Sequence, residues 1–358
     1  MSLAIEWIED RAAFDGLAGE WEALLPEDSH PFDLHCWYAA WWDAFGAAAA
    51  PAVCTARRGG ELVGAFPLRR SGSRLGALAN SHSAGLFRPL AADGEALEAL
   101  VAAAASDRAP TIELEHLPQD GETLPLLEAG MREASRMLLP DGGFTSPIVE
   151  TDGDFDAWRA QSKPRWGAPL ERFRRKMGRD HEAELAIVVE PGDLEAELAA
   201  GFEVEASGWK GEAGTAILST PETEAFYRQI ARSFHERGEL RLSRIVLDGE
   251  LAAFDFCFLH RGRLYLQKTG FDERFRRLAP GLVLRLATVE RCFELDLAAH
   301  ELLGDASEWK LKFANAERRR VVLRAYRRSP RGATRYAYRR ALRPPLRSAY
   351  RRLRPRGR

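Results

Sequence analysis

Between residues 240 and 269 the chain runs through three strand-like segments separated by turns too short to join anything but antiparallel neighbours. The segments are Leu240–Leu247, Leu251–Leu259 and Arg263–Thr269, with Asp248-Gly249 and Arg261-Gly262 between them. Asp-Gly between apolar runs is the strongest short hairpin signal a sequence carries. Parallel strands need crossovers of a dozen residues or more, so this meander disfavours a dinucleotide-binding βαβ fold here. An earlier hairpin is expected where Val53–Arg57 and Leu62–Leu68 flank Arg58-Gly59-Gly60. Gly60-Glu61-Leu62 and Gly249-Glu250-Leu251 each open the second strand of a hairpin, 189 residues apart. Meander, loop, helix and strand follow in both places, which predicts two copies of one unit.

The remaining elements fit that plan. Trp37, Trp41 and Phe45 fall on one helical face and read as core, with Asp33 placed to cap the helix. A Gly/Ser loop (71–85), a helix (94–105), a strand (Thr111–Glu115) and a second helix (121–135) follow. Residues 151–184 read as a linker with Pro164 and Pro169, then a basic helix over 171–179. A strand at Leu185–Glu190, helices over 191–206, 221–236 and 280–295, and a strand near Glu301–Gly304 complete the second copy. The expected organisation is 1–165, 166–317 and an Arg-rich tail, 318–358.

At 358 residues, 46% hydrophobic and 29% charged, the chain reads as globular, with no run of 18 apolar residues to span a membrane. The start, Met1 to Asp10, carries acids and is not expected to be a secretory signal. Cys36, Cys54, Cys257 and Cys292 are scattered and read as reduced thiols of a cytoplasmic protein; the eight histidines lack metal spacing, so no metal is expected. Residues 318–358 hold 17 Arg and no acid, whereas the rest has 34 basic and 53 acidic residues. Only six of the 51 basic residues are Lys, all within 163–312. A lysine kept against that bias marks places where a compact ammonium is wanted.

One stretch joins these signals. From Lys268 and Thr269 a strand gives way to Asp272-Glu273-Arg274-Phe275-Arg276-Arg277-Leu278-Ala279-Pro280-Gly281-Leu282. Proline suits the first helical position, glycine allows close approach to the backbone, and the helix N-terminus with two arginines attracts an anion. This predicts a pyrophosphate cradle. Trp209-Lys210 and Trp309-Lys310 each pair an aromatic plane with an ammonium suited to an anionic acceptor.

Residues 171–317 resemble the C-terminal domain of CelD-type (cellulose biosynthesis), BioF2-like acetyltransferases of the GNAT superfamily. The resemblance rests on the basic helix at 172–179, Ser207-Gly-Trp-Lys-Gly211, Asp248-Gly-Glu-Leu-Ala-Ala253, Tyr265 to Asp272, Pro280-Gly281 and Glu308-Trp-Lys310. The segment Pro31-Phe32…Trp37…Trp41-Trp42…Phe45-Gly46 resembles the start of that family. The resemblance implies an α/β fold (α+β mixed sheet), a tandem GNAT-like, double acyl-CoA N-acyltransferase architecture also found in the FemABX aminoacyltransferases. The family's pyrophosphate loop reads Arg/Gln-x-x-Gly-x-Gly/Ala; Arg276–Gly281 keeps its last glycine. The implied chemistry is direct transfer from acetyl-CoA or another acyl-CoA to an amine. Asp272, Glu273 or Asp255 would be the base, a backbone N–H near Lys268–Gly270 the oxyanion donor, and Tyr265 the acid for the departing thiolate.

The acceptor is expected to be a small molecule or glycan precursor. The tail has three readings: peripheral contact with an anionic inner-membrane surface, return onto the acidic body, or, less favoured, nucleic-acid binding. Two other functions stay open, a FemABX-like transferase drawing on aminoacyl-tRNA and a non-catalytic accessory protein of polysaccharide assembly.

Overall fold

A computed structural model describes residues 2–342 except 84, 162–163, 209–210 and 212–213. The N-terminal half runs β1 (Leu3–Ile8), α1 (Arg11–Asp15), α2 (Ala18–Ala23), α3 (His35–Phe45), β2 (Ala50–Arg58), β3 (Glu61–Ser71), β4 (Arg74–Ala77), β5 (Leu90–Ala91), α4 (Gly94–Ser106), β6 (Thr111–Pro118), α5 (Thr123–Glu133) and β7 (Met137–Glu150). Then come α6 (Phe155–Gln161), α7 (Pro164–Asp180), β8 (Ala183–Val189), α8 (Leu194–Ala206), α9 (Pro221–Glu236), β9 (Leu240–Leu247), β10 (Glu250–His260), β11 (Arg263–Phe271), α10 (Pro280–Glu294), β12 (Ala299–Glu301), β13 (Ala316–Tyr326) and α11 (Pro330–Ala337).

The three expected hairpin turns form as read. Gly59-Gly60, Asp248-Gly249 and Arg261-Gly262 all have positive φ at both central positions, the backbone that matches strand twist. Helix starts follow from side-chain caps: Asp93 for α4, Asp193 for α8, and Thr220 with Pro221 at the first position for α9.

All strands join one sheet in the order β1-β2-β3-β4-β6-β13-β7-β12-β11-β10-β9-β8, with β5 beside β3. Two contacts are parallel, β4 with β6 and β11 with β12, each over three residues. They occupy equivalent places in the two halves, so the expected repeat is present. The halves also exchange strands: β7, from the first, pairs with β12, and β13, from the C-terminal segment, pairs with β6. β7 and β13 pair with each other at the centre.

This topology corrects three expectations. The boundary at 165/166 falls inside α7, and 317/318 falls inside β13, so residues 318–326 are sheet rather than tail. The tail continues into α11, where Arg335 meets Ser73 and Thr111; Arg339, just beyond it, meets Glu113. Up to Leu342 the basic segment therefore lies on the body; residues 343–358 are outside the described residues. Asp33 does not cap α3. It is buried, accepts from the His30 amide and pairs with Arg88 at 2.8 Å.

Alternation along β10 assigns the two faces of the C-terminal half. Phe254, Phe256 and Phe258 enter a core with α3, α8 and α9, while Ala253 and Cys257 enter one with α10. The first core spans both halves: Trp37 of α3 meets Phe226 of α9 at 5.2 Å and Phe258 of β10 at 6.1 Å, both edge-on. Trp37→Ala is therefore expected to destabilise the whole chain by about 3–5 kcal/mol in a single urea transition. Two separate transitions in the parent protein would show that the halves do not share this core.

Candidate active site

β11 and β12 pair only over Arg263–Tyr265 and Ala299–Glu301. Beyond that point β11 continues to Phe271 alone, and β12 turns to stay with β7 through Leu302 N–H and Pro147 O. The strands thus open a notch beside Tyr265. The Asp272 amide donates to Ala252 O on β10, so by antiparallel alternation Gly270 and Lys268 also face β10. Thr269 and Phe271 direct their backbone groups to the notch edge. A chain bearing amides can pair along such an edge.

The loop from β11 to α10 closes one end of the notch. Asp272 opens a short 3-10 turn by accepting from the Arg274 amide. Arg276 and Arg277 are exposed on that turn. Ala279 sits at φ 49°, ψ 49° and caps α10. It occupies the position where the resembled family carries its first glycine, and it adopts the left-handed conformation a glycine would supply. In the first turn Pro280 has no N–H, and the Leu282 and Val283 amides both return to Ala279 O. Among the described residues the Gly281 amide has no acceptor. The expected cradle is thus one outward amide with two guanidinium groups, rather than a full turn of free amides. The side chains of Leu278 and Pro280 are buried and Leu282 packs on the α10 core, so these three act through backbone shape. The donor set fits a diphosphate: charge-assisted Arg donors flank a helix N-terminus.

The predicted acids separate. Asp255 is fully buried and pairs with the equally buried Arg285 at 2.8 Å. Arg285 also meets His300 Nε2 at 2.6 Å, and His300 Nδ1 donates to Leu264 O. Asp255 thus belongs to a core ion pair beneath α10, on the sheet face away from Lys268, which argues against its reading as a base. Asp272 accepts from Arg274 Nε and Nη2 at 2.9 and 2.6 Å, and these bonds lower its pKa. Glu273 is exposed and lies 3.6 Å from Arg276. Tyr265 is buried against Phe32, and burial raises its pKa, so it holds its proton.

The lysines also divide. Lys268 is on the face opposite α10. Its Nζ lies 3.7 Å from Glu205, 3.4 Å from Thr215 O and 5.1 Å from the Tyr227 ring centroid; burial lowers its pKa. Tyr227 OH donates to His82 O at 2.6 Å and receives Gln267 Nε2 at 3.4 Å. Thr269 and the 276–281 loop share the α10 side, so the expected donor-binding set is split by the sheet. Lys310 donates to Leu303 O at 2.5 Å just past β12, and Trp309 covers the Arg285 guanidinium at 5.7 Å. Trp209 and Lys210 are outside the described residues. Glu205, Tyr227 and His82 were not singled out from sequence. Glu205 sits in the last turn of α8, and Gly270 pressing against its backbone brings β11 to it.

Among the described residues no group of three or more His, Cys, Asp or Glu could hold a metal, and no helix is long and apolar enough to cross a membrane.

Residues 168–311 match the model of the acetyltransferase (GNAT) domain. No curated protein sequence matches the chain. Its fold is similar to the C-terminal domain of a putative lysylphosphatidylglycerol synthetase from Agrobacterium fabrum (TM-score 0.54, 12% identity, 91% of this chain and 96% of that one). It is also similar to FemX (0.55, 11%, 90% and 97%) and to L-PGS from Bacillus licheniformis (0.52, 12%, 90% and 94%). The match to the acetyltransferase (GNAT) domain thus runs from within α7 into the β12–β13 loop, residues 168–311, and the chain shares the fold of these structures along most of its length.

Burial, then Arg285, holds His300 well below its ordinary pKa, so it is neutral in the folded protein. A depressed histidine adds stability above its unfolded pKa, about 6.5, that is lost as pH falls below it. Urea midpoints should drop between pH 7 and 5, and His300→Gln should flatten that slope by up to about 1.4 kcal/mol per pH unit. A midpoint that rises in acid would contradict the assignment.

Proposed function

We propose that the protein transfers an acyl group from acyl-CoA directly to an amine, with donor and acceptor entering from opposite faces of the β11–β12 notch. The carrying observation is the placement of Arg276, Arg277 and the Gly281 amide on one side of the notch and the Lys268–Glu205 pair on the other. Arg276, Arg277 and Gly281 N–H hold the diphosphate, and the Thr269–Phe271 edge receives the pantetheine amides. A backbone N–H on that edge steadies the oxygen of the tetrahedral intermediate.

The acceptor amine attacks the thioester carbon: a C–N bond forms and the C–S bond breaks. Glu205 takes the proton lost by the amine, the role first read for Asp272, Glu273 or Asp255. Tyr265, kept protonated by burial, donates one to the departing sulfur. Lys268 orients Glu205, and Lys310 and Trp309 line the far wall. The CelD-type resemblance favours an amino sugar or exopolysaccharide precursor as acceptor.

A second reading follows from the full-length likeness to FemX and the lysylphosphatidylglycerol synthetase domain. The donor would then be aminoacyl-tRNA, with the terminal arginines as its electrostatic contact.

A thermal-shift series separates the two. Coenzyme A at ten times its Kd should raise the melting temperature by about 2–4 °C, and Arg276→Gln/Arg277→Gln should abolish that rise. No rise with CoA, together with salt-sensitive tRNA binding, would favour the second reading. In turnover with acetyl-CoA, Glu205→Gln should lower kcat by about 10²-fold or more with little change in the KM of the donor. Unchanged kcat would remove Glu205 as the base.

A further inference from the structure

Among the described residues four arginines are buried: Arg136, Arg285, Arg320 and Arg324. Three have an evident partner. Arg285 pairs with Asp255, and Arg324 pairs with Glu113 at 2.6 Å. Arg136 donates to the carbonyls of Ala105, Asp107 and Ala109 at the C-terminal end of α4, the negative end of the helix.

Arg320 differs. It is 2% exposed, its Nη1 donates to Gly85 O, and its Nε has no partner. The guanidinium lies 5.1 Å from the Phe144 ring centroid. Among the described residues no carboxylate is within ion-pair distance of it. The acids that act on it from further away are Glu301 and Asp305, and Glu301 is already held by Arg263 and Arg318 at 2.8 and 2.9 Å. A buried cation without a counter-ion costs several kcal/mol.

Around it stand one further cation and two histidines held neutral. β13 sets Arg318 on the same face two residues earlier. His30 is buried with Nε2 3.4 Å from the Asp33 carboxylate, and neither ring nitrogen makes a hydrogen bond; burial, then Arg88, Arg318, His260 and Arg320, lower its pKa. Burial and then Arg320 bring His116 down to about 4.

We propose that Arg320 anchors an oxyanion, a phosphate or carboxylate, carried by the acyl acceptor at the seam between the two halves. A guanidinium offers Nε and Nη donors in the planar fork that oxyanions match. The inference rests on the acyltransferase reading for its link to chemistry, and one loop provides that link. Gly85 O receives Arg320, and three residues earlier His82 O receives Tyr227, whose ring lies under Lys268. An acceptor bridging these two carbonyl-anchored side chains would have its anion on Arg320 and its amine beside Lys268 and Glu205.

The probes are inorganic phosphate and acetate, titrated by thermal shift into the full chain carrying Arg276→Gln/Arg277→Gln, which removes the donor-side arginines. At ten times Kd, phosphate, or acetate if the group is a carboxylate, should still raise the melting temperature by about 2–4 °C. Adding Arg320→Met should abolish the rise, and adding Arg319→Met, the exposed neighbour, should leave it. Arg320→Lys keeps the charge without the fork and should weaken the response at least tenfold in Kd. If Arg320→Met does not fold, the lysine variant decides. No response to either anion, or an equal response in Arg320→Met or Arg320→Lys, overturns the inference. Loss of CoA binding alone does not, because that arm is absent from the background used; a phosphate response here with no CoA response in the parent would sink the donor assignment while leaving the anion site.

Discussion

The proposed site is shaped by two strands that part in mid-sheet. β11 and β12 are held together by three residue pairs, and then β11 stays with β10 while β12 stays with β7. A sheet that loses a partner in mid-strand exposes donors and acceptors that must be met by something. In an ordinary domain that would be a defect or an aggregation hazard. Here the opening lies inside a sheet flanked on both sides, so no other sheet can add to it, but a narrow ligand with its own amides can. Under the proposed function the notch would also connect the two faces, so that a diphosphate held on the α10 face could serve chemistry on the face of Lys268.

The reciprocal exchange of β7 and β13 fixes where that second face leads. Because each half completes its sheet with a strand from the other, β13 runs through the centre and carries its arginines inward. The same exchange lets α3 pack on α9, and Trp37 locks the arrangement with edge-on contacts from both halves. Ser29 on one side bonds His260 on the other at 3.1 Å, and His260 continues to Glu239 at 3.0 Å. Such buried polar links specify one relative placement of the halves, since any slip leaves desolvated groups unmade. A cleft built between elements so fixed keeps its shape before substrate arrives.

The sequence was legible where local chemistry dominates. Asp248-Gly249 and Arg261-Gly262 determine their turns by backbone φ alone, and the alternating Phe254, Phe256 and Phe258 name their face. The α10 start was legible for the same reason. β7 was not, because Pro140, Gly142 and Gly143 interrupt it; it is a strand because β13 and β12 pair with it. β13 was misread as tail because arginine usually marks solvent, whereas Arg320 and Arg324 are buried by the strand exchange. Among the acids, Asp255 and Asp272 were visible as types, but only three dimensions reveal Arg285 and Arg274 occupying them. Glu205 is the converse case: one glutamate among several in α8, singled out only by its neighbours Lys268 and Ile217, whose amide it accepts at 2.9 Å.

Ala279 shows how the 276–281 loop departs from a glycine-rich cradle without losing its shape. A non-glycine residue at φ 49°, ψ 49° costs on the order of 1 kcal/mol relative to glycine. The conformation persists because buried Leu278 and Pro280 flank it and its N–H is spent on Arg276 O at 3.1 Å. A glycine there would relieve the strain but widen the range of loop conformations that binding must freeze out. With alanine followed by proline, that entropy is lost on folding instead, and the Gly281 amide and the two guanidinium-bearing residues are presented before the ligand arrives. Preorganisation of this kind raises affinity without adding a contact, so the loss of a motif glycine is compatible with a working anion site and does not by itself argue for a degenerate one.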